Sequence, residues 1–244
     1  MLEAAAWGLL AATSLVVGAL ASLWLPIPRR VVALVMGFGA GALVSALAFD
    51  LTAEAFERGG GGVTAGGLAV GALAFYLGSV ALQRRERRRF MRTPSAAEGA
   101  RTGGTVIVLG VLLDGIPESF VLGATLLGGA GISVSFLAAV FVSNLPEGIA
   151  GARDLADEGH PRGWIVRLWV WVALASAAAA GIGFVLLGGM SAAPVAFVQA
   201  FAAGAIITML ADAMFPEAFE HGGTAVGLAT VLGFAVAFFL STAA

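Results

Sequence analysis

The chain has 244 residues, 59% of them hydrophobic and 11% charged, with a mean hydropathy of +0.97. A soluble domain of this length has more surface than so few charges cover, so a membrane-embedded protein is expected. Cysteine is absent, which excludes disulfides, thiolate metal sites and cysteine nucleophiles. The formal net charge of −2 selects no partner, because the charges are unevenly placed.

A membrane span needs roughly 20 apolar residues. Eight such stretches follow one another, at about 4–25, 31–55, 62–82, 104–127, 131–152, 164–188, 194–217 and 222–241. The first, Ala4 to Leu25, is long enough to remain a span rather than act as a cleaved signal. The separators are PIPRR (26–30), ERGGGG (57–62), a polar stretch over about 84–103, GGAG (128–131), RDLADEGHPRG (153–163), GGMSAAP (188–194) and EHGG (220–223). The fold expected is therefore all-α, a single transmembrane domain over 1–244.

All thirteen basic residues are Arg. With the N-terminus outside, the regions after spans 1, 3 and 5 hold every one but Arg58. That asymmetry predicts a multi-pass protein of the cell membrane with both termini outside and the 84–103 loop cytoplasmic. The run Arg84 to Arg92 is read as a topology anchor, not a nucleic-acid patch.

The chain also repeats itself. FGAGALVSALAFDLTAEAFERGG (38–60) aligns without gaps on FAAGAIITMLADAMFPEAFEHGG (201–223), at an offset of 163 residues. Twelve positions are identical, including Glu54 with Glu217 and Gly60 with Gly223. The copies are spans 2 and 7, five crossings apart, so they run in opposite directions. This predicts an inverted-topology repeat in a 3+2+3 arrangement, with spans 4 and 5 between the related halves.

Acids inside hydrocarbon are costly and mark function by default. Asp50, Glu54, Asp114, Glu118, Glu147, Asp212 and Glu217 fall in or at the ends of spans, while no Arg lies in a span interior. These carboxylates are thus expected to lack a basic partner in the membrane. Spans 4 and 5 carry the sharpest pattern, LLDGIPESFVLG (112–123) and FVSNLPEGIAG (141–151). Aligned on Pro117 and Pro146, Asp114 meets Ser143 and Glu118 meets Glu147. In each span the two positions are i and i+4, on one helix face. Each proline kinks its helix and frees a backbone carbonyl, here those of Leu113 and Val142. Three carboxylates, a hydroxyl and loosened backbone make a hard, oxygen-rich cation site. His160 reads as a solvated loop residue. His221 follows Glu217 by four residues and Glu220 by one, and is read as interfacial decoration or, alternatively, as an exit ligand.

At these residues the chain resembles the ZIP family of divalent-metal transporters. The resemblance covers nearly the whole length: eight spans, the 3+2+3 inverted repeat, outside termini and a cytoplasmic loop after span 3. The family's span 4 typically reads H-N-x-P-E/D-G and its span 5 H-E-x-P-E-G; here D-G-I-P-E-S (114–119) and S-N-L-P-E-G (143–148) stand there. The resemblance implies metal ligands at Asp114, Glu118, Ser143 and Glu147, with Glu217 on the metal's route. Asp114 and Ser143 replace the two characteristic histidines. Gly115, Asn144 and the apolar stretch near Ala178 replace the second metal position, which leaves a single site. Loss of imidazole favours harder ions such as Mn²⁺, Fe²⁺ or Mg²⁺ over zinc.

Transport of divalent cations between spans 4 and 5 is the first functional reading, with Asp50, Glu54, Asn144, Asp212, Glu217, Glu220 and His221 as pathway candidates. The metal is substrate, no cofactor is expected, and lipid and a second copy of the chain are the partners considered. No G-x-x-x-x-G-K-[ST] motif is present to power it. A proton-coupled transporter of another substrate is the alternative. An intramembrane aspartyl enzyme, pairing Asp114 with Asp50 or Asp212, is the third class. The gapless repeat puts Phe49, not Asp50, against Asp212 and weakens that class.

Overall fold

The structure, a computed structural model, describes residues 1–90, 110, 115–128 and 131–243, without the side chains of 83 and 85–90. The described residues are helical apart from short connections. The helices are α1 (Leu2–Trp24), α2 (Arg29–Ala46), α3 (Ala53–Phe90), α4 (115–125), α5 (Val134–Asp157), α6 (Arg162–Leu187), α7 (Ala192–Met209), α8 (Phe215–Gly222) and α9 (Ala225–Ala243). Leu47–Thr52 and Leu210–Met214 are π-helical and join α2 to α3 and α7 to α8 without a break. Among the described residues, six helical stretches are long and apolar enough to cross a membrane. Large apolar side chains stand outward, Leu228 at 77% and Trp171 at 70% exposed. A soluble surface does not carry them so densely, whereas a lipid-facing one does. The protein is an all-α, multi-pass membrane protein. Residues 104–109 and 111–114 of the predicted span 104–127, which include Leu113 and Asp114, and the 84–103 loop beyond residue 90 lie outside the described residues.

The predicted 57–62 loop is a single residue. The stretch Arg29–Leu82 is 54 residues, and a straight helix of that length would measure about 80 Å, far beyond a hydrocarbon core. It breaks at Gly60 (φ 73°, ψ 171°), a conformation essentially confined to glycine. Before the break the chain runs against α7: Glu54 meets Gln199 and Gly59 faces Ala196. After it the chain runs along α7: Gly71 faces Phe201 and Ser79 meets Asp212. The second reversal falls at Gly223 (φ 64°), at the close of α8. Four glycines in sequence look like a loop, but only the one with positive φ is needed to turn the chain.

α2 lies along α9 in the same way that the second piece of α3 lies along α7. Gly41 packs on the Thr230 carbonyl and Gly233 on that of Phe38; Gly204 packs on that of Leu68 and Gly71 on that of Phe201. In lipid, close approach through small residues replaces the hydrophobic drive between helices. α1 packs between α5 and α6, with Gly8 against Ala180 and Gly18 and Gly148 at the α1–α5 crossing. Arg29, Arg30, Arg84, Arg153 and Arg162 gather at one end of the bundle, and Arg58 stands at the other. At the arginine-rich end Arg153 donates to the Ile27 carbonyl at 2.8 Å, and Arg162 sits over the Trp24 ring.

α5 begins at Ser133, whose hydroxyl accepts the Phe136 amide at 3.1 Å. It continues through Pro146 to Asp157, so Arg153 and Asp154 belong to the helix and not to the predicted 153–163 loop. His160, in the turn that follows, stacks on Trp164 and is 3.7 Å from Glu158, so it is partnered and not simply solvated.

Candidate functional site

Pro146 is buried within α5, and the polar residues around it face inward. Ser143 and Asn144 are buried, and Glu147 is half-buried. Gly39 of α2 lies against the Ser143 backbone, so α2 approaches α5 closely at this level. Ser143 Oγ donates to the Val140 carbonyl at 3.0 Å; its oxygen lone pairs remain chemically suited to a cation. Glu118 on α4 is 1% exposed, with Pro117 beside it at the start of the described helix. The fourth member of the predicted set, Asp114, lies outside the described residues. Among the described residues no three His, Asp or Glu side chains converge on one ion-sized point.

Glu147 opens onto a cavity of about 200 Å³ lined also by Met36, Asp154, Met209, Met214 and Glu217. A second cavity, about 170 Å³, shares Met36, Ala150, Asp154 and Glu217 with it and adds Arg29, Arg153 and His221. Glu217 and His221 are exposed, so the pair of cavities leads from the arginine-rich surface inward to Glu147. His221 Nδ1 lies 3.2 Å from the Glu217 carbonyl oxygen. Asp154 and Glu217 are near enough to feel each other's charge, and Arg29 and Arg153 act on Asp154. Sequence reasoning missed Asp154 because it ended the helix early. Extending the helix face from Glu147 by seven residues finds it. Glu220 is exposed and lines neither cavity.

The remaining acids are held by neighbours. Asp50 accepts from Ser133 at 3.0 Å, from Ser135, and from Ser241 at 2.6 Å. Asp212 accepts from Ser79 at 3.0 Å. Each sits in a π-helical stretch, and the two stretches begin 163 residues apart, at Leu47 and Leu210. Both copies carry the π turn at the same aligned position, and within it each aspartate accepts from a serine, Ser241 or Ser79. Asp50 and Asp212 thus play matching roles one position out of register, and they lie at opposite ends of the bundle. Glu54 overturns the expectation of carboxylates without a basic partner: Arg58, one turn along, reaches back to 2.5 Å.

No family model matches the chain. Over 189 residues, 76% of this chain, it is 28% identical to an Arabidopsis thaliana protein named "Putative zinc transporter". The chain spans 29% of that relative's length.

Proposed function

We propose that this chain is a ZIP-like transporter of divalent metal cations, and not an enzyme, with its ion site between the fourth and fifth of eight spans. The observation that carries the reading is the half-buried Glu147 at the inner end of cavities that reach the arginine-rich surface. The similarity to a protein named for zinc transport supports the same class of cargo.

The 3+2+3 inverted repeat is part of the reading. Supporting it are the two glycine reversals, the two π-helical stretches and the Asp50–Ser241 and Asp212–Ser79 pairs, each recurring at corresponding positions. Reversal at Gly60 also sets α2 antiparallel to α7, as the repeat requires. The clustering of arginines at one end supports placing that end in the cytoplasm and both termini outside, in the cell membrane.

In this scheme the ion sheds water for the carboxylates of Asp114, Glu118 and Glu147 and the hydroxyl of Ser143. The acids Asp154 and Glu217 then draw it toward the cytoplasmic mouth. Arg29 and Arg153 border the same cavity, so the pull of the two acids there is partly offset. Oxygen ligands select by charge and size, so Mn²⁺, Fe²⁺ or Mg²⁺ suit the site better than zinc does.

The test is selectivity. Asp114→His combined with Ser143→His supplies two imidazoles and removes one negative charge. The ratio of Zn²⁺ to Mn²⁺ affinity should rise at least about tenfold, or roughly 1.4 kcal/mol, in competition binding. An unchanged ratio with metal still bound means that positions 114 and 143 do not touch the ion. Proton binding without any divalent-metal binding selects the proton-coupled alternative instead.

A further inference from the structure

The repeat that places Glu54 against Glu217 also places Arg58 against His221 and, two residues before the aligned block, Met36 against Gln199. Met36, Glu217 and His221 line the same cavity of about 170 Å³. Their counterparts at the opposite end are drawn together instead. Gln199 Nε2 donates to Glu54 Oε2 at 2.8 Å, and the Arg58 guanidinium lies 2.5 Å from Glu54 Oε1. Gln199 is 0% exposed, and its Oε1, beside that carboxylate, accepts no hydrogen bond. A buried carbonyl left unsatisfied is unfavourable, and amide carbonyls are good ligands for hard cations.

We propose that Glu54 and Gln199 form a cation subsite at the outer face, occupied at rest by the guanidinium of Arg58, and that an incoming divalent cation binds by taking that place. This rests on the transport reading and on its orientation.

The chemistry of exchange is simple. The guanidinium leaves by rotation of the Arg58 side chain away from Glu54. Its side chain is 25% exposed and forms an i, i+4 pair, a weak interaction at a surface. A divalent ion brings twice the charge to the same carboxylate. A half-turn of the Gln199 amide then aims Oε1 at the ion. At the inner end His221 stands in the place of Arg58, and Glu217 faces a cavity.

The experiment is Mn²⁺ titration of the purified full chain, reading free ion by electron paramagnetic resonance. At Mn²⁺ concentrations too low to displace the guanidinium in wild type, Arg58→Gln should bind about one ion more per chain, and Glu54→Gln in that background should remove the increment. Arg58→His, which gives the outer end the inner residue, should show the same gain at pH 8. If both Arg58 variants elute as wild type does and neither binds an additional ion, the proposal is overturned. If neither variant folds, Arg58 is a structural brace and the proposal is equally overturned. Flux is not read, so absence of transport and absence of this increment are separate results.

Discussion

Glu147→Ala and Glu118→Ala should each lower divalent-metal affinity by at least about 100-fold, or roughly 2.7 kcal/mol, while the protein remains folded and extractable. The reasoning starts from charge. The proposed site has three acids, and each substitution removes one from the protein interior, where charge is costly to replace. Glu147 also faces the cavity through which the ion leaves, so its loss affects both affinity and exit. Glu118 is nearly fully buried, and Ala there leaves a small void. The cost of that void appears in the melting temperature and not in ion selectivity, so the two effects separate. Isothermal titration with Mn²⁺ and Zn²⁺, alongside thermal melts in the same detergent, makes the comparison. Affinity within about threefold of wild type, under 1 kcal/mol, in either variant makes that glutamate structural.

The largest stability effects should come from glycines with no chemistry at all. A Cβ on Gly71 would stand inside the Phe201 carbonyl, and one on Gly233 inside that of Phe38. Backbone cannot step aside as a side chain tip can, so the paired helices must separate. Gly71→Val and Gly233→Val should each cost at least about 3 kcal/mol, at or above the top of the usual overpacking range. That corresponds to a fall of roughly 10 °C in the melting temperature. Gly66 and Gly227 are the controls, since nothing lies within 4 Å of a Cβ at either. Gly66→Val and Gly227→Val should melt within about 2 °C of wild type. Equal losses at all four positions would mean that helix propensity, and not the interlocked contacts, sets the effect.

Much of this architecture was legible in the sequence because membrane helices obey few rules. Apolar runs of sufficient length gave the helices, and arginine gave the two ends. The shared E-A-F-E-x-G-G ending located both reversals, at Gly60 and Gly223. What was not legible depends on backbone geometry or reach. A pattern of four glycines does not say that one positive φ suffices to turn the chain. The π-helical stretches carry no compositional mark, and the correspondence of Asp50 and Asp212, one position out of register, shows only in their serine partners. Charge at a helix end, as in Arg153–Asp154, resembles the start of a loop in sequence, although the helix keeps its face through Asp157. Arg58 was counted as outside the span, and its side chain still folds back onto Glu54. At the candidate site, spacing alone singles out Pro146 and Glu147 of α5 but not Asp154, further along the same helix. The cavities that connect Glu147 to Glu217 depend on three helices meeting, which spacing within one helix does not encode.

Divalent-cation uptake into proteoliposomes tests the central claim most directly. The full chain is reconstituted into vesicles loaded with a metal-sensitive dye and given Mn²⁺, Fe²⁺ or Zn²⁺ outside. The account predicts saturable entry well above that of protein-free vesicles, reduced to background by Glu147→Ala. Monodisperse, correctly reconstituted protein that passes none of these ions, or entry unaffected by Glu147→Ala, would contradict it.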